Sequence, residues 1–287
     1  MSDHGTTPFR LGYGTNGFTG HDLDTALRII ADLGYQGVGL TLSRRHLDPY
    51  APALPTLTAR LSRLLDRLGL SVVIETGDPY LLDRGRAHSP GLMHDHGRGG
   101  RIGLLKRAVR IGAEVGARVV HLCSGHVPHG VPSELAWDRL ASGCAEVLEV
   151  AEAHGITLAL EPEPDMFVNV LDRFEELRAR LGNHPLLGLT LDIGHAHCVE
   201  PRPVLECVRR ALPYLAHVQI EDMRRGVHQH LEFGQGEIDF PPVLRALAEG
   251  GHRGLVSVEI QDGADCAPDV ARRSLAFLRD AVRLQEA

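Results

Sequence analysis

Residues 156–197 read ITLALEPEPDMFVNVLDRFEELRARLGNHPLLGLTLDIGHAH, and their organisation decides the fold. Two short apolar runs, at 156–162 and 187–192, flank a segment of helical period at about 170–181. That is the pattern of a βαβ unit, two parallel strands joined by a crossover helix. Each run carries an acid at its end, Glu161 in the first and Asp192 in the second.

The same unit recurs in both directions along the chain. Strands are expected at about 10–14 (RLGYG), 36–42 (QGVGLTL), 70–76 (LSVVIET), 118–124 (RVVHLCS), 156–162, 187–192, 215–220 (LAHVQI) and 255–260 (LVSVEI). Between them ALRIIADLG (26–34), LTARLSRLLDRLG (57–69), IGLLKRAVRIGAEVG (102–116) and LASGCAEVLEVAEAHG (140–155) place apolar residues at i, i+3, i+4 and i+7. Each of these ends in Gly, as helix C-termini often do. Helices at about 170–181, 202–212, 241–249 and 267–284 complete eight units. Strand–helix alternation throughout implies a parallel sheet, and eight units close into a barrel: the expected fold is α/β, a single (β/α)8 TIM barrel spanning 1–287. A doubly wound sheet is the rival, but no GxGxxG follows the first strand, no GxxxxGK[ST] occurs, and no break marks a second domain. The two longest loop-like stretches, about 43–55 and 77–99, follow the second and third strands. In a barrel they lie over the active face, placed to serve as lids, and HSPGLMHDHGRGG (88–100), rich in Gly and His, reads as mobile without a ligand.

Composition narrows the classes of function. Apolar residues make up 43% and charged residues 23%, the balance of a soluble globular protein, and no apolar run approaches the roughly 18 residues that cross a bilayer. The opening MSDHGTTPFR has neither a basic n-region nor an apolar h-region, so the cytoplasm is the expected location and no membrane partner is expected. Five cysteines, an odd number without CxxC spacing, argue against a disulfide framework or a zinc ribbon. A net charge of −7 gives no general attraction to nucleic acid.

In a barrel the chemistry gathers at strand C-termini. The fifth strand ends in Glu161, the sixth in Asp192, the seventh carries Gln219 and the eighth Glu259. Each is polar inside an apolar strand, where an unpaired charge costs on the order of several kcal/mol. Pairing with nearby Arg or His, or capping of the following helices, is the plainer account of any one of them. For four successive strands a divalent cation between the oxygens is the simpler one. An all-oxygen set suits Mn²⁺ or Mg²⁺ better than Zn²⁺, with Co²⁺ or Zn²⁺ as further options. His217, two residues before Gln219 and on the same side of a regular strand, is the alternative donor there. Glu75 and His121 end the third and fourth strands and face the expected pocket, although His121 equally suits a hydrogen-bonded place in the core. Glu163, two beyond Glu161, is placed to bind substrate or to cap a helix. Arg44, Arg45 and Arg84 sit on loops where they could meet an anion, as surface arginines often do.

LALEPEP, LTLDIGHAH, HVQIED followed by FGQGEIDF, and VSVEI, in that order on the last four strands, resemble the sugar phosphate isomerase/epimerase superfamily, the xylose isomerase-like TIM barrels, over nearly the whole chain. The resemblance implies Glu161, Asp192, Gln219 and Glu259 as metal ligands, though many members have His at the Gln219 position. It implies Glu161 and Glu259 as the catalytic pair that removes and returns the proton alpha to a carbonyl, through an enediolate. His195, in a DxGH arrangement with Asp192, resembles the family's substrate-binding histidine, and Arg225 its substrate-binding arginine. The function implied is a metal-dependent isomerase or epimerase without organic cofactor. Its substrate would be a keto sugar, a cyclitol or a small hydroxy-keto compound, phosphorylated or not. A dehydratase of the inosose or 3-dehydroshikimate type uses the same metal and the same kind of base. An endonuclease IV-like nuclease is a further alternative, because His121, His195, His228 and His230 stand near places for its extra ligands and HQHLEFGQG loosely resembles its ligand loop. Against it stand Gln219, the acidic charge, 5% aromatic residues and no basic segment for DNA. A non-catalytic binding barrel is the last alternative, disfavoured by retention of all four donors. Superfamily members are often dimers or tetramers, which makes a homo-oligomer an expectation by analogy.

Overall fold

The computed structural model describes residues 8–261 and 266–283. Eight parallel strands form a closed barrel: β1 Arg10–Gly14, β2 Gly37–Thr41, β3 Ser71–Glu75, β4 Val119–Cys123, β5 Thr157–Glu161, β6 Leu187–Asp192, β7 Leu215–Ile220 and β10 Leu255–Val258. β1 pairs with both β2 and β10, so the ring has no open edge. Between β7 and β10 a small antiparallel hairpin, β8 Asp222–Arg224 and β9 Val227–Leu231, stands apart from the barrel sheet. The helices are α1 Leu23–Leu33, α2 Leu54–Leu68, α3 Arg98–Val115, α4 Ser133–His154, α5 Leu171–Arg180, α6 Ile193–Val199, α7 Val204–Ala211, α8 Phe240–Glu249 and α9 Ala267–Arg283.

The strands form where apolar runs can be covered on both faces. All five residues of β2 and all six of β6 are buried, one set of side chains filling the barrel and the other meeting the helices. The helices bury a single stripe. In α1, Ala26, Leu27 and Ile30 face inward while Arg28 and Asp32 stay exposed, and Gly34, at φ 98°, lets the chain leave the helix in a left-handed turn. Asp22 starts that helix by accepting the Thr25 N–H at 3.0 Å.

Three elements differ from the expectations. α4 begins at Ser133 rather than near 140, because its first turns bury only Ala136, Trp137 and Leu140 among polar neighbours. α6 has seven residues and follows Asp192 directly; the Asp192 carboxylate caps it by accepting the His195 N–H at 2.7 Å. The last barrel strand stops at Val258, so Glu259 lies just beyond it, its N–H donating to the Ile220 carbonyl at 3.3 Å. The Gly- and His-rich stretch at 88–100 is anchored: Leu92 and Met93 are buried, and Arg98, Arg101 and Arg139 donate to the carbonyls of Leu92, Pro90 and Met93. The five cysteines are free thiols. Among the described residues no helix is long and apolar enough to cross a membrane.

Strand register sets the level of the site. Thr41 is paired with Glu75, Cys123 with Glu161, and Asp192 with Gln219, so the strand-end side chains share one layer at the C-terminal mouth.

Candidate functional site

A cavity of about 380 Å³ opens at this mouth, with Glu75, His121, Gln219 and Glu259 at its floor. Glu161 is clamped between two imidazoles: His121 Nε2 lies 2.5 Å from Oε2 and His195 Nδ1 2.9 Å from Oε1. Burial alone raises a carboxyl, but the hydrogen bond from His121 and the close ion-pair contact of His195, which lacks hydrogen-bond alignment, outweigh it and hold Glu161 low. The histidines respond in kind. Against a burial that disfavours the cation, the hydrogen bond and charge of Glu161 lift His121 to about 9, and the surrounding acids raise His195 well above its ordinary value.

Asp192 spends Oδ1 on the cap of α6 and leaves Oδ2 buried with no aligned hydrogen-bond partner among the described residues, although the Glu221 carboxyl lies close enough to share a proton with this side chain. Gln219 donates through Nε2 to Glu259 Oε2 and, at 3.5 Å, to Glu75 Oε1, while its own Oε1 has no partner among the described residues. Glu259 Oε1 accepts from Asn16 Nδ2 at 2.7 Å and from Gln261 Nε2 at 3.2 Å. Thr41 Oγ1 donates to Glu75 Oε2 at 2.9 Å. Burial and the charge of Glu259 push Glu75 up to about 8.

Two glycines make the crowding sterically feasible. A Cβ on Gly39 would overlap the Glu75 carboxylate, and one on Gly194 would overlap Glu221. Glu221 follows β7 directly, is fully buried, and has no aligned hydrogen-bond partner for either oxygen among the described residues; burial and the charge and proximity of the Asp192 carboxylate raise it well above the usual carboxyl range.

One carboxylate oxygen each from Glu161, Asp192 and Glu259 lies within 4.8 Å of the others. Buried acids this close repel one another, and Asp192 Oδ2 and Gln219 Oε1, without aligned partners among the described residues, are the lone pairs a cation would use. The donor set fits a divalent ion.

The expected residues separate into three groups. Glu75, His121, Glu161, Asp192, His195, Gln219 and Glu259 come together at the mouth, with Glu163 alongside, its Oε2 3.8 Å from His195 Nδ1. His217, the alternative to Gln219, lies deeper, Nε2 on Ser257 Oγ at 2.8 Å, where burial depresses it to about 3. Arg225 is not brought in: its guanidinium donates to the carbonyls of His197 and Glu200 at the end of α6, and it lines a separate groove. The glycine turn of the hairpin, at Gly226, directs it away. Among residues outside the expected site, Glu221 had a usable signal, since it shares the parity of Gln219 along the strand. Asn16 had none, because it sits on a single 3-10 turn, Thr15–Phe18. The hairpin also delivers His228 and His230 to His195, with Nε2–Nε2 distances of 3.0 and 3.4 Å.

The xylose isomerase-like TIM barrel family model matches residues 27–281. Fructoselysine 3-epimerase of Shigella flexneri is 26% identical over 247 residues, covering 83% of this chain and 85% of that protein. L-ribulose-5-phosphate 3-epimerase of Escherichia coli is 26% identical over 223 residues, covering 74% and 78%. A D-tagatose 3-epimerase-like protein of solved structure superposes with a TM-score of 0.78 at 22% identity, covering 97% of this chain and 98% of that one. With the fold closed as a barrel and the family model spanning most of its length, the chain belongs to the xylose isomerase-like TIM barrel family.

Proposed function

We propose that the chain is a divalent-metal-dependent epimerase or isomerase of a keto sugar, a cyclitol or a related hydroxy-keto compound. The observation that carries the reading is the approach of one carboxylate oxygen each from Glu161, Asp192 and Glu259 to within 4.8 Å of one another, with the buried Gln219 Oε1 left without a hydrogen-bond partner among the described residues. Mn²⁺ or Mg²⁺ suits these oxygens best. When bound, the cation supplies positive charge to a substrate carbonyl and its neighbouring hydroxyl as negative charge develops there. The named relatives act as 3-epimerases on sugar-derived substrates, which fits the same chemistry.

Glu161 and Glu259 stand on β5 and just past β10, three steps apart around the eight-strand ring, so they reach a bound substrate from different sides. One takes the proton alpha to the carbonyl and the other returns it to the opposite face. His121 and His195 hold Glu161 in a fixed orientation, and Asn16 and Gln261 do the same for Glu259. His195 and Glu163, which lie beside Glu161, are assigned to substrate hydroxyls. Residues 43–46 and 77–80 line the cavity, and the segments they open, 43–55 and 77–99, are assigned the role of lids that exclude water. Expulsion of a beta hydroxyl after the same proton abstraction would make the enzyme a dehydratase, and the substrate decides between the two. The free thiols fit a reducing cytoplasm.

A second reading, metal-dependent phosphodiester hydrolysis, is favoured by one observation. His195, His228 and His230 form a further nitrogen donor set, and His230 Nδ1, 2.9 Å from the Glu259 carbonyl, leaves Nε2 as the lone pair.

Metal content and proton exchange decide. The protein purified without added metal is analysed by plasma mass spectrometry, then loaded with Mn²⁺ and followed by NMR for alpha-proton exchange of ketoses and inososes in D₂O. About one ion per chain is expected, with exchange reduced about 10²- to 10⁴-fold in both Glu161→Gln and Glu259→Gln. About three zinc ions per chain would favour the hydrolase. A protein that binds no cation refutes both.

A further inference from the structure

The cavity has two chemically different ends. Its floor is acidic, whereas its outer wall is formed by Arg44, Arg45 and His46 of the turn after β2, facing Asp78 and Tyr80 of the segment after β3. The turn is firmly built. Ser43 N–H donates to the Leu47 carbonyl at 3.1 Å, Ser43 Oγ accepts the His46 N–H at 3.2 Å, and Leu47 is buried beneath.

The two arginines at its tip have different occupations. Arg44 reaches across to the second segment and donates to the carbonyls of Tyr80 and Leu81 at 3.4 and 3.0 Å, tying the two walls together. Arg45 is exposed, makes no hydrogen bond, ion pair or ring contact among the described residues, and is one of the residues that line the cavity. Asp78, the carboxylate on this wall, is turned into its own loop, Oδ1 accepting the Tyr80 N–H at 2.9 Å, and forms no ion pair with Arg45.

We propose that Arg45 is an oxyanion subsite, so that the substrate is a ketose carrying a phosphate ester or a carboxylate at the end remote from its carbonyl. The orientation rests on the epimerase reading, which puts the carbonyl end against the acids of the floor. A neutral sugar leaves a guanidinium facing the cavity with only water to bind. An anionic tail meets a planar fork of donors shaped for phosphate or carboxylate oxygens. A cationic tail is repelled by the same group. Arg44, its donors already directed at two carbonyls, fixes the wall and leaves Arg45 as the discriminating residue.

The test compares ribulose 5-phosphate with ribulose, and a keto-uronate with the corresponding neutral ketose, in the Mn²⁺-loaded wild type, Arg45→Met and Arg45→Lys. The ratio of kcat/KM for the charged over the neutral member of a pair is expected to fall about 10- to 100-fold in Arg45→Met, mostly through KM. Arg45→Lys recovers part of the ratio. The phosphate and uronate pairs separate the two sources of the anion. Isothermal titration of the same compounds reads the subsite without turnover, so a chain that fails to epimerise still reports whether Arg45 holds the anion. A wild type that binds and turns over neutral members as well as charged ones overturns the proposal, as does an Arg45→Met that leaves the ratio unchanged.

Discussion

Glu75 stays beside Glu259 because residue 39 has no side chain. β2 and β3 are paired at that level, and the space a methyl group would fill is occupied by the Glu75 carboxylate, which is held by Thr41 and Gln219. Gly39→Ala therefore forces a buried acid off its two partners or bends β2. Overpacking of this kind costs about 1–3 kcal/mol. For a chain of this size that is a fall of roughly 2–4 °C in Tm per kcal/mol. Thermal unfolding of metal-free Gly39→Ala measures it, and a Tm equal to that of the wild type would mean that Glu75 has room to relax. The same logic applies at Gly194, where the displaced group is Glu221.

At the scale of elements, the hairpin β8–β9 depends on one residue. Asp222 is buried, and its carboxylate accepts the N–H groups of Met223, Gly234, Gly236 and Ile238 at 2.8–3.2 Å, folding residues 222–238 back onto the barrel. Asp222→Ala leaves several donors unsatisfied at about 1–3 kcal/mol each, partly recovered by water. The expected result is a Tm lowered by roughly 5 °C or more, with amide exchange accelerating in 222–238 before it does in the barrel strands. Uniform acceleration across the barrel would mean that the hairpin is not a separable unit. The hairpin also marks where the sequence stops being readable. Barrel strands such as β6 are continuous apolar runs, so their position stands out, as do the polar Asp192 and Gln219 within them and Glu259 at the end of one. VHQHL is polar and largely exposed, with no periodicity to separate it from a loop. α6 is too short for a periodic signal, and its cap is made by an acid already read as a metal donor. Arg225 resembles a family arginine in sequence, but the tight hairpin turns it outward to the carbonyls of His197 and Glu200.

For the whole molecule, the mouth of the barrel concentrates charge that the metal-free fold settles only by holding protons. Burial, reinforced by neighbouring acids, pushes Glu75 and Glu163 up to about 8 and raises Glu221 and Glu259. A carboxyl whose folded value lies above its unfolded one keeps a proton that the unfolded chain has released, so stability falls as pH rises between the two. His121 and His195, raised against the pull of burial, contribute stability that is complete below the ordinary histidine value and is lost as pH climbs through the folded one. Glu161 is the exception: held low, it contributes above the usual carboxyl range and is lost only on acidification. Below about pH 6.5 His217 and His228, depressed by burial, act in the opposite direction; between about pH 6.5 and pH 8 the first two groups act together, at up to about 1.4 kcal/mol per pH unit for each uncompensated group. In EDTA the Tm should therefore decline across that window. A divalent cation needs its ligands deprotonated, so its stabilisation grows with pH as binding tightens. With about 1 mM Mn²⁺ the decline should flatten or reverse, and the two melting curves should separate most at the alkaline end. Coincident curves in EDTA and Mn²⁺ would mean that the acids are settled by His121, His195 and their own protons alone, and Glu161 would then be the centre of a structural charge network rather than of a metal site.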